Sequence, residues 1–271
     1  MPSETSRSET SRSETSAYDF AVPEPGFVGG PVIAITQARM TSTRLPGKVL
    51  MEAAGHALLH HHLERLRACP DLAAIIVATT TNRSDDPLVA AAQAAGVGVF
   101  RGDEADVLGR FAGAAAAAGA GVVVRATADC PLLAPEVIAA QIACWRRQRH
   151  PRACVTLDVQ GLPRGIGVEV FSRAALDEAA ALAGPEAREH VTTWFYRHPE
   201  RFPITVWRPE NPPPLSEPVR WCVDEAADLA LIRCLLADDP SPRTPWTTRL
   251  ARYLANPAWQ ALNREVRQKE V

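Results

Sequence analysis

The segment IAITQARMTSTRLPGKVL, residues 33–50, joins a short apolar run to a polar, cationic loop. Its β-branched start predicts a buried strand that ends where the polar residues begin. Arg39, Arg44 and Lys48 follow in the loop, and a Pro-Gly pair bends the chain between the last two. We therefore expect all three cations to turn toward one strongly anionic group.

A nucleoside triphosphate would match such a loop, since guanidinium groups hold phosphate oxygens in pairs and an ammonium acts as a point charge. Gln37 and Ala38, which begin the loop, belong to the same predicted nucleotide site. A solvated basic loop is the competing interpretation, because Arg and Lys are common on loops. The P-loop pattern does not fit, since Ser42 stands at its glycine position and Val49 at its Ser or Thr position.

Strand-like and helix-like segments alternate beyond this loop. Strands are predicted at 72–78, 97–100 and 121–127, separated by helical segments that include 103–118, whose acidic first turn suits the helix dipole. This alternation predicts right-handed βαβ units and an α/β fold with a mostly parallel sheet. Ligands bind such sheets at the carboxyl ends of the strands.

Two aspartates follow predicted strands at that edge. Asp129 comes after the strand at 121–127, and Asp224 comes after a short strand predicted at 219–223. Mg²⁺ takes one or two carboxylates together with phosphate oxygens and water, so this pair could hold the metal of a triphosphate complex. Each aspartate could instead cap the helix that follows it. The cationic loop on the same edge favours metal ligation.

Three threonines also end predicted strands. Thr79, Thr80 and Thr127 are candidates for hydrogen bonds to a base or ribose, and ordinary strand threonine is an equal alternative.

Composition limits the organisation and the partners of the chain. Its 271 residues, 46% of them hydrophobic, suffice for one main domain, which is predicted at 31–240. A helical extension is predicted at 241–271 and includes one helix at 248–267.

A net charge of −2 argues against nonspecific attraction to nucleic acid or membranes. Six cysteines without a CxxC pair, and the lack of a secretory signal pattern, predict a reduced, cytoplasmic protein. The polar SETSR repeat predicts a disordered tail over residues 1–30.

Seven blocks of the sequence resemble, in order, those of the spore-coat polysaccharide biosynthesis (cytidylyltransferase-like) family. The loop QARMTSTRLPGKVL at 37–50 is similar to the signature loop of cytidylyltransferases that activate acidic sugars, such as those for acylneuraminate and 3-deoxy-manno-octulosonate. The other blocks are VATTTN (77–82), GDEADVLGRF (102–111), RATADCPLL (125–133), GVEVFS (167–172), REHVT (188–192) and VDEAADL (223–229).

The resemblance implies a three-layer α/β/α Rossmann-like fold of the nucleotide-diphospho-sugar transferase type. An arm at about 151–218 would make homodimer contacts and form part of the substrate site. The implied reactants are CTP and a small acidic acceptor, with Mg²⁺ held by Asp129 and Asp224. The residues implied to face the acceptor are Glu169, Arg188, Glu189 and His190.

The predicted reaction is an in-line attack by an acceptor oxygen on the α-phosphorus of CTP, with release of pyrophosphate. The predicted catalytic residues are Arg39, Lys48, Asp129 and Asp224. The acceptor stays open between a sugar acid, a phosphorylated sugar and a phosphonate. The sequence departs from the family pattern at two positions. Gly167 stands where relatives usually have Asp, which bears on the acceptor, and Ala128 stands where Gly is usual, which adds only a methyl group beside the nucleotide.

Two other functions compete with this prediction. A glycosyltransferase of related architecture would usually hold its metal with an Asp-x-Asp motif, which does not occur in this sequence. A non-catalytic nucleotide-binding partner is compatible with Gly167 in place of the usual carboxylate.

Overall fold

The computed structural model describes residues 29–268, so the disordered tail predicted for residues 1–30 falls, apart from Gly29 and Gly30, outside the described residues. The strands are β1 (Val32–Gln37), β2 (Glu52–Ala53), β3 (His56–Ala57), β4 (Ala74–Thr80), β5 (Gly98–Gly102), β6 (Val122–Thr127), β7 (Cys154–Leu157), β8 (Glu169–Ser172) and β9 (Ile204–Trp207). The helices are α1 (Leu58–Arg67), α2 (Asp86–Ala94), α3 (Val107–Ala117), α4 (Pro135–Arg146), α5 (Arg173–Leu182), α6 (Thr193–Arg197), α7 (Ala226–Asp238), α8 (Trp246–Leu254) and α9 (Pro257–Leu262).

Seven strands form one mixed, mostly parallel sheet in the order β5-β4-β1-β6-β8-β7-β9. β1 lies between β4 and β6 and is parallel to both, so Gln37 at its end faces Ala78 on one side and Thr127 on the other. β8 is antiparallel to β6 and β7, while β9 runs parallel to β7 at the edge. The carboxyl ends of β1, β4 and β6 therefore meet at one edge, where the sequence predicted the ligand site.

The period of two along β1 assigns its side chains to two separate cores. Val32 and Ala34 pack in a cluster with residues of α1, α2 and α4. Ile33 and Ile35 point the other way and pack with residues of α3 and α5. Successive side chains of a strand face opposite sides of a sheet, so helices cover both faces. The predicted three-layer α/β/α fold is confirmed.

The C-terminal part differs from the expected single helix at 248–267. The chain forms α8 and α9 instead, separated at Asn256, whose side chain caps α9 by accepting a hydrogen bond from the backbone of Trp259. Pro257 explains the break, because proline has no N–H to continue a helix. Trp246 and Leu250 of α8 are buried in a third cluster with α7, so the extension packs closely on the domain.

The segment expected to form an arm, about 151–218, contributes β7, β8 and β9 to the main sheet. Its role in dimer contacts stays a prediction. Within residues 29–268, every helix is too short or too polar to span a lipid bilayer.

Candidate active site

A turn at Gly47 brings the end of the cationic loop after β1 back to its beginning at Met40. Gly47 has a φ of 71°, a left-handed conformation that glycine adopts without steric cost, and its N–H donates to the Met40 carbonyl at 2.9 Å. The following residue, Lys48, begins a short 3₁₀ helix and is buried. The turn thus directs a lysine inward rather than toward solvent.

Lys48 joins the two predicted metal ligands. Its Nζ lies 3.3 Å from Oδ2 of Asp129 and 2.8 Å from Oδ1 of Asp224, and it donates to the Val223 carbonyl at 2.6 Å. Burial lowers the pKa of Lys48, but the two carboxylates outweigh it and hold that pKa above its ordinary value. Lys48 therefore stays charged, and both carboxylates face one cation.

The two aspartates meet by a route other than the predicted one. We expected a strand at 219–223 in the main sheet, but that segment forms only an isolated bridge between Arg164 and Arg220. A backbone hydrogen bond from Val223 N–H to the Asp129 carbonyl, at 2.8 Å, brings the segments together instead. The predicted convergence is present, although the predicted strand is wrong.

Asp224 has further cationic partners. Arg44 Nη2 lies 2.9 Å from its Oδ2, and the Arg220 guanidinium donates to the same oxygen. Burial raises the pKa of Asp224, but Lys48, Arg44 and Arg220 together lower it below its usual value. Arg220 is held in turn by the buried carboxylate of Asp228 at 3.1 Å. Asp224 is thus the anionic centre of a cationic cluster.

Arg39 does not join this cluster. Its Nη1 lies 3.1 Å from Oε1 of Glu104, which also accepts a 2.5 Å hydrogen bond from Thr41. Glu104 precedes α3, because this helix begins at Val107 and not at the predicted residue 103. Arg44 and Lys48 therefore meet at Asp224 whereas Arg39 pairs with Glu104, but all three line one cleft, and their convergence on a single anion stays a prediction.

Thr79 and Thr80 are fully buried and hydrogen-bonded within the protein. Both hydroxyls donate to Oδ2 of Asp85, at 2.8 and 2.6 Å. The other oxygen of Asp85 accepts from the Met40 N–H at 2.8 Å. These contacts fasten the cationic loop to the end of β4, and they give the two threonines a positioning role in place of the predicted contact with a base or ribose.

Two cavities meet at the paired carboxylates. An open cleft of about 810 Å³ is lined by the cationic loop and by Thr127. A smaller pocket of about 290 Å³ adjoins this cleft. Thr127, Asp129 and Asp224 line both cavities. The predicted site residues that line the larger cleft are Gln37, Ala38, Arg39, Arg44, Lys48, Thr127, Asp129, Glu189, His190 and Asp224.

The predicted acceptor residues separate into three groups. Glu189 and His190 line the larger cleft, whereas Glu169 lines the smaller pocket and accepts hydrogen bonds from Tyr196, Thr192 and Arg125. Arg188 lines neither cavity.

Arg188 instead forms a bidentate pair with Asp106, at 2.9 and 2.8 Å. Asp106 caps α3 by accepting from the Gly109 N–H. Arg188 therefore fastens its segment to the start of that helix.

The donor set at Asp129 and Asp224 suits a hard divalent cation. Both groups are partly exposed carboxylates on the cleft, and both already face the ammonium of Lys48. Two carboxylates completed by phosphate oxygens and water match the preference of Mg²⁺. Among the described residues, no group of three or more His, Cys, Asp or Glu side chains is placed to hold a metal ion, so the chain would supply two carboxylates here. Metal binding at this pair thus fits the residues present.

Sequence reasoning missed the residues that support the site. Glu104 was assigned to a helix dipole, and Asp85 follows a strand end without any spacing that marks it. Arg220 belongs to no pattern that we recognised. Glu104 contacts Arg39, Asp85 contacts Met40 and Arg220 contacts Asp224. Residue spacing alone does not reveal these contacts.

Comparison with known proteins identifies a common family. A sequence model described as cytidylyltransferase matches residues 33–217. The uncharacterized protein MJ1063 of Methanocaldococcus jannaschii is 36% identical over 202 residues, which cover 74% of this chain and 81% of that protein. The spore coat polysaccharide biosynthesis protein SpsF of Bacillus subtilis is 31% identical over 211 residues, which cover 75% of this chain and 85% of SpsF.

Solved structures agree on the fold. A cytidylyltransferase from Leptospira borgpetersenii superposes with a TM-score of 0.77 at 23% identity, covering 89% of this chain and 98% of that one. A CMP:2-keto-3-deoxy-manno-octonic acid synthetase complexed with CTP gives a TM-score of 0.58 at 18% identity, with coverages of 78% and 100%. The Rv0371C protein of Mycobacterium tuberculosis, in a complex with manganese, gives 0.53 at 19% identity, with coverages of 74% and 97%.

Proposed function

Because the chain belongs to the cytidylyltransferase family, we propose that it transfers CMP from CTP to a small acid, giving a CMP-activated acid and pyrophosphate. The observation that carries this proposal is the meeting of two cavities at Asp129 and Asp224. A transferase of this kind needs room for the nucleotide and for the acceptor, with the reacting atoms between them. The larger, cationic cleft suits the nucleotide and the smaller pocket suits the acceptor.

The bond changes follow from that arrangement. An oxygen of the acceptor attacks the α-phosphorus of CTP, a new O–P bond forms, and the bond to the β-phosphate oxygen breaks. The electron pair leaves with pyrophosphate, and any proton on the attacking oxygen passes to water in the open cleft. The catalytic contribution of the chain is positioning and electrostatic stabilisation.

The loop cations would stabilise the leaving group. Arg44 and Lys48 are paired with Asp224 here, so a bound triphosphate would compete with that carboxylate for them. Arg39 is exposed on the cleft and pairs with Glu104. We propose that Arg39, Arg44 and Lys48 contact the phosphates and neutralise the charge that develops on pyrophosphate.

We propose that Asp129 and Asp224 together hold Mg²⁺. A divalent cation there would reduce the repulsion between the attacking oxygen and the α-phosphate. The manganese complex of the structural neighbour supports a divalent cation in this fold, and the hard oxygen ligands support magnesium. Thr127, which lines both cavities, and the loop residues Gln37 and Ala38 would complete the nucleotide contacts.

Glu169, Glu189 and His190 remain our candidates for contacts with the acceptor, because each lines one of the two cavities.

We also propose that residues 31–240 are the catalytic domain, that the protein is cytoplasmic and that it is a homodimer. All six cysteines are free thiols, which supports a reducing compartment. Light scattering would test the dimer by its mass.

Pyrophosphate release tests the function directly. The full chain would be incubated with Mg²⁺, each of the four nucleoside triphosphates and a panel of sugar acids, phosphorylated sugars and phosphonates. We expect release only with CTP and only with an acid present. A sugar-nucleotide donor consumed without pyrophosphate would indicate a glycosyltransferase, and CTP binding without turnover on any acid would indicate a non-catalytic partner.

A further inference from the structure

The segment after α9 returns to the paired carboxylates, although it lies beyond the domain predicted at 31–240. Gln268, the last residue that the structure describes, lines both the larger cleft and the smaller pocket. It shares this position with Thr127, Asp129 and Asp224. A residue of the C-terminal extension therefore lies where the two cavities meet.

A buried amide anchors this segment. Asn263 Nδ2 donates to the Arg220 carbonyl at 3.0 Å and to Oδ1 of Asp228 at 2.9 Å. The Asn263 carbonyl accepts from the Val266 N–H at 3.1 Å, and this bond turns the chain. The backbone between Asn263 and Gln268 is therefore held at its start by contacts inside the protein.

The guanidinium of Arg220 has an acceptor on each of its three nitrogens. Nε donates to Oδ1 of Asp228 at 3.1 Å, Nη2 donates to Oδ2 of Asp224, and Nη1 donates to Oε1 of Gln268. A planar guanidinium that is held at three points cannot rotate, so its approach to Asp224 is fixed. Gln268 is the uncharged acceptor of the three.

This orientation leaves one carboxylate oxygen of Asp224 clear of arginine. Arg220 and Arg44 both contact Oδ2, whereas Oδ1 faces the ammonium of Lys48 at 2.8 Å. A guanidinium tends to pair with both oxygens of a carboxylate in a fork. Without an acceptor on Nη1, Arg220 would be free to turn that nitrogen toward Oδ1 and cover the oxygen that a metal needs.

We propose that Gln268 is a positioning residue, which restrains Arg220 so that Oδ1 of Asp224 stays available to a divalent cation. The inference rests on the proposed function, because it takes Asp224 as a metal ligand. It extends the catalytic unit beyond residue 240 to residue 268. Gln268 is itself exposed, so its replacement should leave the packed core intact.

Binding of Mn²⁺ to the full chain tests the proposal without turnover. Free Mn²⁺ gives an electron paramagnetic resonance signal that bound Mn²⁺ loses, so a titration without CTP yields a dissociation constant. We expect Gln268→Met, which keeps the length but removes the acceptor, to weaken Mn²⁺ binding about threefold to tenfold, the scale of one hydrogen bond. Gln260→Met is the matched control, since the Gln260 amide donates to the Tyr253 and Leu254 carbonyls and lines neither cavity.

Two further variants separate positioning from direct contact. Gln268→Glu keeps an acceptor for Arg220 and should bind Mn²⁺ no more weakly than the unmodified chain. In an Arg220→Met background, Gln268→Met should have no further effect, because the residue through which it acts is absent. Urea denaturation would show whether Arg220→Met folds, and Gln268→Glu decides the question if it does not.

Unchanged Mn²⁺ binding in Gln268→Met would overturn the proposal, as would equal weakening in Gln268→Met and Gln268→Glu. A full effect of Gln268→Met in the Arg220→Met background would also overturn it, since Gln268 would then act directly. An unmodified chain that binds no Mn²⁺ would contradict the proposed metal site, and this inference with it.

Discussion

The ammonium of Lys48 donates a 2.8 Å hydrogen bond to Oδ1 of Asp224 across a separation of 176 residues. Both side chains are largely shielded from solvent, with exposures of 9% and 14%, so water screens their attraction only weakly. This contact joins the loop proposed to bind phosphate to a carboxylate proposed to bind metal. Changes at either residue should therefore affect the nucleotide and the metal together.

Replacing Lys48 should slow turnover without removing the cleft. We expect Lys48→Met, which keeps the chain length and loses the charge, to lower kcat by on the order of 10²-fold, the scale of losing one preorganised electrostatic group. Pyrophosphate release would measure it. Arg149→Met, which removes an exposed cation outside both cavities, is the control. Unchanged kcat in Lys48→Met would exclude a catalytic role for this ammonium.

The two aspartates should control the dependence on metal. We expect Asp129→Asn and Asp224→Asn each to reduce turnover by on the order of 10²-fold or more and to raise the Mg²⁺ concentration needed for half-maximal rate. EDTA should abolish activity of the unmodified chain, and added Mg²⁺ should restore it. Asp158→Asn, which removes a carboxylate outside the lining of both cavities, is the control. Full activity in either variant would remove the metal assignment.

Asp85 should position the cationic loop. It accepts hydrogen bonds from Thr79, Thr80 and Met40, and an amide cannot accept all of them. We expect Asp85→Asn to lower the free energy of unfolding by about 1–3 kcal/mol and to raise the KM for CTP. Urea denaturation and initial rates would measure these changes. The adjacent Asp86→Asn removes only an exposed ion pair with Arg101 and should leave both quantities nearly unchanged.

His62 should make stability fall at mildly acidic pH. Its ring is fully buried between Thr36 and the Cys130 carbonyl, and burial lowers the pKa of His62 from 6.5 to about 4. Between these values the unfolded chain binds a proton that the folded chain does not bind, so the free energy of unfolding decreases as pH falls. The loss attributable to this group is about 2 kcal/mol at about pH 5.

Urea unfolding at about pH 7.5 and about pH 5 would show this difference. His62→Gln should reduce it, whereas His150→Gln, at an exposed position, should not. Equal pH dependence in the unmodified chain and His62→Gln would mean that another group carries the effect.

The parts of the fold predicted correctly were those fixed by local periodicity. The alternation Val32, Ile33, Ala34, Ile35 sends neighbouring side chains into two different cores, which a run of β-branched residues between polar segments predicts well. The segment at 219–223 has the same kind of apolar pattern, yet it forms a single bridge. Its pairing depends on the backbone of Asp129 and Arg164, which are remote in sequence.

The candidate site was predicted in part for the same reason. Arg44, Lys48, Asp129 and Asp224 follow chain signals, a Pro-Gly bend and the ends of apolar segments, and they meet as expected. Arg39 lines the same cleft, but its partner Glu104 lies on a loop beyond another strand, and no sequence pattern indicated that contact. Residue spacing does not show which acidic group lies within reach of an arginine, because that distance depends on the fold.

The contacts of Lys48 with Val223 and Asp224 also bear on how the protein matures. A nascent chain on the ribosome carries the cationic loop long before it carries these partners, so the contacts of Lys48 form only after residue 224 has been synthesised. A product that stops short of residue 223 would retain much of the sheet but should have no activity.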